Sequence, residues 1–355
     1  MEAANRYQVL GVMSGTSLDG LDITYCQFEQ NDSWHFQLLA AQTFAFPESL
    51  RNKLQGLMKS DLYRALRVEQ AFDEFLVKCV KAFSIREGID LREVDLLANH
   101  GQTIFHEPES GFTYQLSNPS RIASLLRIPV VGDFRTADVA LGGQGAPLVP
   151  IGDALLFGEF DACINLGGFA NVSLEINGNR RAWDICPVNF VMNPLARQLG
   201  GDYDDRGEWA RGGELDADLL QKLESLAYYR LPYPKSLGAE WVQEHVGSLM
   251  ERGDNPGILL RTWVEHAAMR ISADLSRVNG KALFTGGGVK NTFLMERIQA
   301  LSEADIVIPD AALIDFKEAI VFGFLGVLRW RGGVNCLSSV TGASKDHSAG
   351  VIALP

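Results

Sequence analysis

A short polar stretch near the start of the chain, SGTSLDG, has the residue types that bind phosphate. Gly15 lets the backbone come close to an anion, and Ser14, Thr16 and Ser17 add hydroxyl and N–H donors. Asp19 is placed to hold Mg²⁺ through water, because oxygen atoms are the ligands that Mg²⁺ prefers. Glycine and serine also mark ordinary turns, so this stretch taken alone favours a simple glycine hairpin.

The residues around this stretch predict the elements that position it. The apolar run Tyr7–Met13 and the alternating segment LDITYCQF predict a β-hairpin, with a third strand at 35–46. The pattern recurs as a strand at Ala162–Leu166, the turn GGFAN, a strand at Val172–Ile176 and a third strand at Arg180–Ile185. The recurrence indicates an internal duplication, although on spacing alone coincidence between two glycine hairpins is about equally compatible.

A third glycine turn, TGGGVKN at 285–291, follows a predicted strand at 282–284 and opens a helix. This arrangement suits a nucleotide, because glycines admit a base or a phosphate and a helix N-terminus favours negative charge. Glycine turns of this kind are common, so the motif supports nucleotide binding without proving it.

The other predicted elements alternate in the manner of an α/β protein. A long helix at Leu62–Glu87 precedes a buried strand at Val94–Ala98, which ends in the polar turn NHGQT, where α/β sheets place ligands. From Pro194 to about Trp241 the sequence predicts polar helix with a loop at LPYPKSLGAEW, and an apolar helix is predicted at Phe316–Trp330. We expect an N-terminal domain at 1–130, completed by the tail at about 340–355, and a C-terminal domain at 131–340.

Composition limits the classes of partner. The chain has 355 residues, of which 46% are hydrophobic, and a formal net charge of −12. This charge opposes binding to nucleic acid or to an anionic membrane and favours a small-molecule ligand. The N-terminus lacks a signal-peptide pattern and the five cysteines are scattered without CxxC spacing, which predicts a cytoplasmic protein and argues against a disulfide framework or a zinc site. The sequence leaves open whether the protein forms a homodimer.

Seven motifs occur in a fixed order along the chain: GVMSGTSLDGLD, NHGQT, DFRTADVALGGQGAPLVP, NLGGFANVS, YPKSLGAEW, TGGGVKN and SSVTGA. With these motifs the chain resembles the anhydro-N-acetylmuramic acid kinases of bacterial cell-wall recycling from about Gly11 to Pro355. The resemblance implies an α/β duplicated actin-like (ribonuclease H-like) ATPase fold, with two domains around a nucleotide cleft.

The resemblance also implies an activity. It predicts a phosphotransferase with an alcohol group as acceptor that uses ATP and Mg²⁺. The enzyme would open the 1,6-anhydro ring of 1,6-anhydro-N-acetylmuramic acid with water and phosphorylate O6, giving N-acetylmuramic acid 6-phosphate and ADP in peptidoglycan recycling. Two alternatives stay open: an actin-fold kinase for another sugar, and a non-catalytic ATP-binding switch or pseudo-kinase.

The matching motifs assign roles to single residues. Asp184 in AWDICPVN is implied as the catalytic base, and Arg135 as the one group able to pair bidentately with a carboxylate or phosphate, unless it forms a salt bridge to Asp133 or Asp138. The implied phosphate contacts are Gly15, Thr16, Ser17, Asp19, Gly20, Gly167, Gly168 and Asn171, the adenosine contacts are Gly286, Gly287, Gly288 and Asn291, and the sugar contacts are His100, Gln102, Asp133, Arg135 and Gln144.

The chain departs from the family pattern directly after the implied base. The family usually reads Asp-Thr-Gly-Pro-Gly-Asn, whereas here Asp184 is followed by Ile185, Cys186, Pro187, Val188 and Asn189. The loss of both glycines removes the freedom for positive φ, and the loss of the threonine removes a hydroxyl. Either the backbone of this loop uses ordinary angles, or the active site is altered. Cys186 is expected to be a packing residue and not a nucleophile.

Overall fold

The computed structural model describes residues 5–15, 17–250 and 255–355, so that Thr16 lies outside the described residues. The chain divides into two compact units, of which unit 1 comprises Met1–Leu156 and Phe316–Pro355 and unit 2 comprises Phe157–Asp315. Among the described residues, no helix combines the length and the apolar character needed to cross a membrane.

Unit 1 is built on a mixed sheet that begins with a meander of three antiparallel strands. Its long helix α2 starts at the N-cap Asp61, which accepts a hydrogen bond from the Arg64 N–H, and ends at Gly88 with φ of 68°. The elements in order are β1 (Arg6–Met13), β2 (Gly20–Gln30), β3 (Trp34–Ala45), α1 (Glu48–Gln55), α2 (Leu62–Glu87), β4 (Leu96–Asn99), β5 (Gln102–Glu107), β6 (Phe112–Leu116), α3 (Pro119–Leu126), β7 (Val130–Gly132), α4 (Thr136–Ala140) and α5 (Pro150–Leu156).

Unit 2 has a second sheet of the same kind, and its helices pack around the buried helix α11. A single turn of π-helix, Gln243–Gly247, joins two of the short helices. The elements in order are β8 (Ala162–Leu166), β9 (Phe169–Ile176), β10 (Asn179–Pro187), α6 (Asn189–Gln198), α7 (Glu208–Gly212), α8 (Ala217–Glu224), α9 (Ala239–Val242), α10 (Ser248–Met250), α11 (Pro256–Leu275), β11 (Lys281–Thr285), α12 (Thr292–Leu301) and β12 (Asp305–Val307).

The chain then returns to unit 1 through three last elements, which are α13 (Ala311–Trp330), α14 (Ser338–Thr341) and β13 (Val351–Ala353). Most of α13 is buried, and Gly11 of β1 allows its close approach, because a side chain there would collide with the Ala319 carbonyl. Strand β13 pairs antiparallel with β7 and forms one edge of the first sheet.

The two sheets share one strand order. In unit 1 the order is β3-β2-β1-β4-β7, extended by β13, and in unit 2 it is β10-β9-β8-β11-β12. In both sheets the first three strands along the chain pair antiparallel. The other two run parallel to the first strand in sequence, which is β1 in unit 1 and β8 in unit 2. This repeated topology confirms the predicted duplicated α/β actin-like fold.

The boundaries of the units differ from the predicted limits at 130 and 340. The segment 131–156 lies in unit 1 because it bonds to the end of the chain: the Gln144 N–H donates to the Thr341 carbonyl, and the Ser344 N–H donates to the Leu141 carbonyl. The segment from Phe316 onward lies there because α13 packs its small residues on the first sheet, with Gly326 beside Ala98.

Candidate active site

The first candidate phosphate loop, between β1 and β2, is held by the turn that follows β4. The Ser14 hydroxyl donates to the Gln102 amide oxygen, and the Gln102 amide nitrogen donates to the Gly15 carbonyl at 3.2 Å. Ser14 and Gln102 are both buried, whereas Ser17 and Asp19 are exposed. Ser17 and Asp19 are therefore the members of this loop that a ligand reaches most directly.

Gly20 has a packing role in the structure. It begins β2, is buried, and lies so close to the Phe44 carbonyl of β3 that no side chain fits. Its predicted contact with the nucleotide stays a prediction.

The NHGQT turn and the DFR loop meet through His100 and Arg135. The Arg135 guanidinium donates from Nε and Nη2 to Nε2 of His100, at 3.0 and 2.8 Å, and from Nη1 to the Gly145 carbonyl at 2.6 Å. Among the described residues, Arg135 forms no salt bridge, which corrects the alternative of an ion pair with Asp133 or Asp138. Its partners are instead an imidazole and a backbone carbonyl.

This pairing fixes the state of the imidazole. Nδ1 of His100 lies 2.8 Å from the Gly101 carbonyl, which only accepts, so Nδ1 carries the proton and Nε2 accepts from Arg135. Burial, and next the charge of Arg135, hold the pKa of His100 well below its usual value, and burial lowers the pKa of Arg135 to about 10. At neutral pH the pair is therefore a neutral imidazole and a charged guanidinium.

Asp133 and Gln144, the other two predicted sugar contacts, lie on the same loop. The Asp133 carboxylate accepts the Thr136 N–H at 3.2 Å at the start of α4, and its backbone has a φ of 54°. Gln144 is exposed and is held by its backbone, which donates to the Thr341 carbonyl. The structure thus brings His100, Gln102 and Arg135 together with the first loop, and leaves the Gln144 side chain directed by no described hydrogen bond.

In unit 2 the glycine turn between β8 and β9 rests on the start of α6. The Gly168 carbonyl accepts from the Val188 N–H at 2.8 Å and from the Phe190 N–H at 3.0 Å. A side chain at Gly168 would have Phe190 as its nearest neighbour at 3.9 Å, so the outer face of this turn is open. A phosphate has room beside Gly168.

Asp184 lies on β10 opposite Asn171 of β9, at a register shift between Asp184 and Cys186. The Asp184 Oδ2 accepts from the Leu237 N–H at 2.8 Å. Its backbone is bound on both sides, because its N–H donates to the Lys235 carbonyl at 3.1 Å and its carbonyl accepts from the Tyr228 hydroxyl at 2.6 Å. The segment YPKSLGAEW therefore positions this carboxylate.

The carboxylate of Asp184 is a weaker acid than an ordinary aspartate. Burial raises its pKa to about 6, and the hydrogen bond from Leu237 lowers it in part. Among the described residues, no donor bonds Oδ1. An ionised carboxylate with one fixed and one free oxygen at near-neutral pH has the properties of a general base.

The altered loop after Asp184 does without positive φ, although Val188 has the uncommon pair of φ −122° and ψ −96°. None of residues 185–189 has a positive φ, and Ile185, Cys186 and Val188 are buried. The Trp263 indole N–H donates to the Pro187 carbonyl at 3.1 Å, which fixes the loop to the core of unit 2. Burial raises the pKa of the Cys186 thiol, so Cys186 is a packing residue as predicted.

The glycine turn between β11 and α12 combines two crowded glycines with an open one. Side chains at Gly286 and Gly288 would collide with β8, whereas one at Gly287 would meet nothing. Asn291 is the N-cap of α12, and its side-chain oxygen accepts the Leu294 N–H at 2.9 Å. Within this predicted adenosine contact, Gly287 is the member that a ligand can approach.

The crowded Gly286 and the open Gly287 should respond differently to substitution by alanine. Gly286 has φ of 84° and ψ of 158°, a region that glycine alone adopts, so Gly286→Ala should destabilise the protein by about 1–3 kcal/mol. Gly287→Ala, the matched control, should change the free energy of unfolding by less than about 0.5 kcal/mol. Melting temperatures of the two variants measure the difference; equal melting temperatures would contradict this account of the turn.

The model of the family described as Anhydro-N-acetylmuramic acid kinase matches residues 7–355. The chain belongs to this family. Curated anhydro-N-acetylmuramic acid kinases of Sulfurovum sp. (strain NBC37-1) and Pseudomonas savastanoi pv. phaseolicola are each 35% identical to it, over 98% and 97% of this chain and 99% and 98% of their own lengths. That of Shewanella amazonensis is 34% identical over 96% of this chain and 97% of its own length.

Membership of the anhydro-N-acetylmuramic acid kinase family confirms the predicted enzyme class, a kinase. Among solved structures, component A of the Acidaminococcus fermentans (R)-2-hydroxyglutaryl-CoA dehydratase is similar with a TM-score of 0.44 at 11% identity, covering 88% of this chain and 95% of its own. The roles of the single residues stay predictions.

Sequence reasoning missed the residues that hold Asp184. The Leu237 N–H and the Tyr228 hydroxyl come from a segment distant in sequence, and a backbone donor carries no signal in residue type. The signal in the sequence was the family motif YPKSLGAEW, which contains Leu237 and Lys235, the two residues whose backbone bonds to Asp184.

Proposed function

We propose that this chain is a cytoplasmic, ATP-dependent kinase for 1,6-anhydro-N-acetylmuramic acid that acts in peptidoglycan recycling. Its products would be N-acetylmuramic acid 6-phosphate and ADP. The observation that carries this proposal is the Asp184 carboxylate, which is held by Leu237, has one free oxygen and has a pKa raised to about 6.

The reaction joins hydrolysis to phosphoryl transfer. Asp184 takes a proton from a water molecule, whose oxygen forms a bond to the anomeric carbon. The bond between that carbon and O6 breaks, and its electron pair goes to O6, which attacks the γ-phosphorus as ADP leaves. A glycosidase needs a second carboxylic acid to protonate the departing oxygen, whereas here the phosphoryl group receives that oxygen, so that one carboxylate suffices.

Asp184 is suited to be that single carboxylate. A base must be ionised before it takes a proton, and it is most effective when its pKa lies near the working pH. Burial moves the pKa of Asp184 toward neutrality, and the Leu237 N–H keeps one oxygen in place. The free Oδ1 is then the atom that would bond to water.

Arg135 is suited to bind the lactyl carboxylate of the sugar. A guanidinium has five N–H donors, of which three are used on His100 and Gly145. One N–H remains on each terminal nitrogen, which permits a two-point contact with a carboxylate. Because His100 is neutral, it positions Arg135 without cancelling its charge.

The glycine turns are suited to the phosphates of ATP. Side chains at Gly168 and Gly287 would meet little or nothing, so at these positions the backbone N–H groups can be approached closely. The exposed Asp19 carboxylate and Ser17 hydroxyl fit a Mg²⁺ ion held through water. When bound, Mg²⁺ would neutralise charge on the transferring phosphoryl group.

A panel of sugars tests this function. With labelled ATP and Mg²⁺, we expect phosphate transfer to 1,6-anhydro-N-acetylmuramic acid, with one ADP formed for each sugar consumed. Transfer to 1,6-anhydro-N-acetylglucosamine, which lacks the lactyl carboxylate, should be about 10-fold or more slower, because Arg135 loses its partner. A faster reaction with a different sugar, or ADP formation without any phosphorylated sugar, would contradict the proposal.

The pKa of Asp184 sets a pH dependence. Because the base must be ionised, kcat/KM for the sugar at saturating ATP and Mg²⁺ should be level above about pH 7, be half of that level near pH 6, and approach a tenfold fall for each pH unit below about 5. The residual activity of Asp184→Asn should lose this fall in the same pH range. A wild-type profile without a fall between pH 5 and 7 would count against Asp184 as the base.

A further inference from the structure

Three metal-binding side chains meet in unit 1 at a place that the proposed reaction does not use. Asp138 lies on α4, whereas Cys336 and His347 lie in the C-terminal segment that flanks α14. One ligand atom from each lies within 4.8 Å of the other two. We propose that Asp138, Cys336 and His347 bind a divalent transition-metal ion of the Zn²⁺ class.

The orientation of His347 points to a cation. Its Nδ1 lies 3.2 Å from the Lys345 carbonyl, which accepts the ring proton and leaves a lone pair on Nε2. The side chain is 8% exposed, and Nε2 is buried with no hydrogen-bond partner among the described residues. Nε2 lies 3.6 Å from Oδ1 of Asp138, beyond hydrogen-bond distance. A metal ion between the two atoms would bind the Nε2 lone pair of the neutral imidazole and give this nitrogen the partner it lacks.

Asp138 is fixed as a metal ligand would be. It is fully buried, and its Oδ2 accepts the Gly145 N–H at 2.7 Å. Its Oδ1 accepts from the Thr341 hydroxyl at 2.7 Å and from the Cys336 thiol at 3.0 Å. Hydrogen bonds of this kind orient a ligating carboxylate and are common around metal ligands.

The separations suit tetrahedral coordination. Bond lengths of about 2.0 Å to oxygen and nitrogen and about 2.3 Å to sulfur place tetrahedral ligand atoms about 3.3–3.6 Å apart. The observed separations are 3.6 Å between Nε2 of His347 and Oδ1, and 3.0 Å between Sγ of Cys336 and Oδ1. Small side-chain movements would therefore complete the site, with water as the fourth ligand.

The donor set selects the metal. Thiolate and imidazole favour Zn²⁺ over Mg²⁺ and Ca²⁺, which prefer oxygen ligands alone. On binding, Cys336 loses its thiol proton to solvent, and the thiolate and the Asp138 carboxylate together balance the two positive charges. The occupied site would then carry no net charge, which lowers the cost of burying the ion and its ligands.

The site links the end of the chain to the DFR loop. Asp138 binds the Gly145 N–H, and the Gly145 carbonyl accepts from Arg135, so the ion would fasten the loop that carries Arg135. The sequence argued against a zinc site because the five cysteines are scattered without CxxC spacing. The proposed ligands have no such spacing either, since Asp138 and Cys336 are 198 residues apart.

Cobalt provides a direct test. The full-length protein, stripped with chelator, is titrated with Co²⁺ and separately with Zn²⁺. We expect one equivalent of Co²⁺ to give a thiolate-to-cobalt charge-transfer band, which one equivalent of Zn²⁺ abolishes. Zn²⁺ at about 100 times its Kd should raise the melting temperature by about 4 °C.

Variants locate the ion. Cys336→Ser should lose the charge-transfer band, and His347→Gln should weaken Co²⁺ binding by about 10-fold or more. Cys79→Ser, which removes another buried thiol of unit 1, should keep the band. No band in the wild type, or a band that persists in Cys336→Ser, would overturn the proposal; should Cys336→Ser not fold, unchanged Co²⁺ affinity in His347→Gln would do so. None of these measurements depends on turnover, so their outcome is separate from that of the proposed kinase activity.

Discussion

Asp184→Asn is expected to lower kcat by about 10²- to 10⁴-fold, the range for removal of a positioned general base. The asparagine amide oxygen can still accept the Leu237 N–H, so the segment YPKSLGAEW should stay in place. What is lost is the negative charge that takes the proton from water. KM for ATP should change by less than about threefold, since the substitution removes no phosphate ligand. Initial rates of sugar phosphorylation measure the effect.

The matched control is Asp216→Asn. Asp216 also lies in unit 2, is also partly exposed, and also accepts one backbone N–H, from Leu219 at 2.9 Å, as the N-cap of α8. Asparagine caps a helix as well as aspartate does, so this variant should keep wild-type kcat and melting temperature. If Asp184→Asn keeps more than a tenth of wild-type kcat, Asp184 is not the base.

Arg135→Lys is expected to raise KM for 1,6-anhydro-N-acetylmuramic acid by about 10- to 100-fold. Lysine keeps the positive charge but has no planar fork, so it cannot hold His100, Gly145 and a carboxylate together. A charge-assisted hydrogen bond contributes about 1.5–3 kcal/mol, which corresponds to this range. The measurement is KM for the sugar at saturating ATP.

Two comparisons make the Arg135 experiment specific. With 1,6-anhydro-N-acetylglucosamine, which has no lactyl carboxylate, Arg135→Lys should change KM by less than about threefold. Arg329→Lys is the matched control, because Arg329 is also a partly buried arginine of unit 1 that donates to a glycine carbonyl, that of Gly350, at 2.7 Å. Equal losses with both sugars would show that Arg135 supports the loop and does not bind the carboxylate.

Local signals in the sequence predicted the elements of the fold well where those signals were strong. The helix Leu62–Glu87 was predicted from its apolar spacing and its glycine stop, and the strand Ala162–Leu166 from its apolar run; both have these bounds in the structure. The recurring hairpin pattern suggested a duplication, but only the strand pairing of the structure established it. Which strands pair cannot be read from a local stretch of sequence.

Prediction was poorer where long-range packing decides the bounds of helices and of the two units. The segment from Pro194 to about Trp241 was predicted as helical with a loop at LPYPKSLGAEW; the structure has an irregular stretch at 231–238 but divides the rest into short helices and turns. Positive φ at Gly200 and Gly207 interrupts any longer helix. The late helix begins at Ala311, five residues before the predicted start, where the Asp310 carboxylate accepts the Leu313 N–H at 2.8 Å. The unit boundaries moved because the loop near Gln144 bonds to the end of the chain.

In the candidate site too, some features could be predicted from the sequence and others depend on the fold. The family motifs implied roles for Asp184, His100 and Arg135, and these roles stay predictions. The partners that set their states were not predictable, since the Leu237 N–H and the Gly101 carbonyl are backbone groups brought there by the fold. For Arg135 the sequence left open a salt bridge to Asp133 or Asp138 as the alternative to a sugar contact, whereas the structure pairs the guanidinium with a neutral imidazole.

The mass of the sugar product tests the central claim most directly, namely that one event adds both water and a phosphoryl group to the anhydro-sugar. The enzyme is incubated with ATP, Mg²⁺ and 1,6-anhydro-N-acetylmuramic acid in ¹⁸O-labelled water and quenched early. We expect a product heavier by one labelled water and one phosphoryl group, with the label in the sugar and none in its phosphate group. A phosphorylated sugar with an intact anhydro ring, or label found in phosphate, would contradict it.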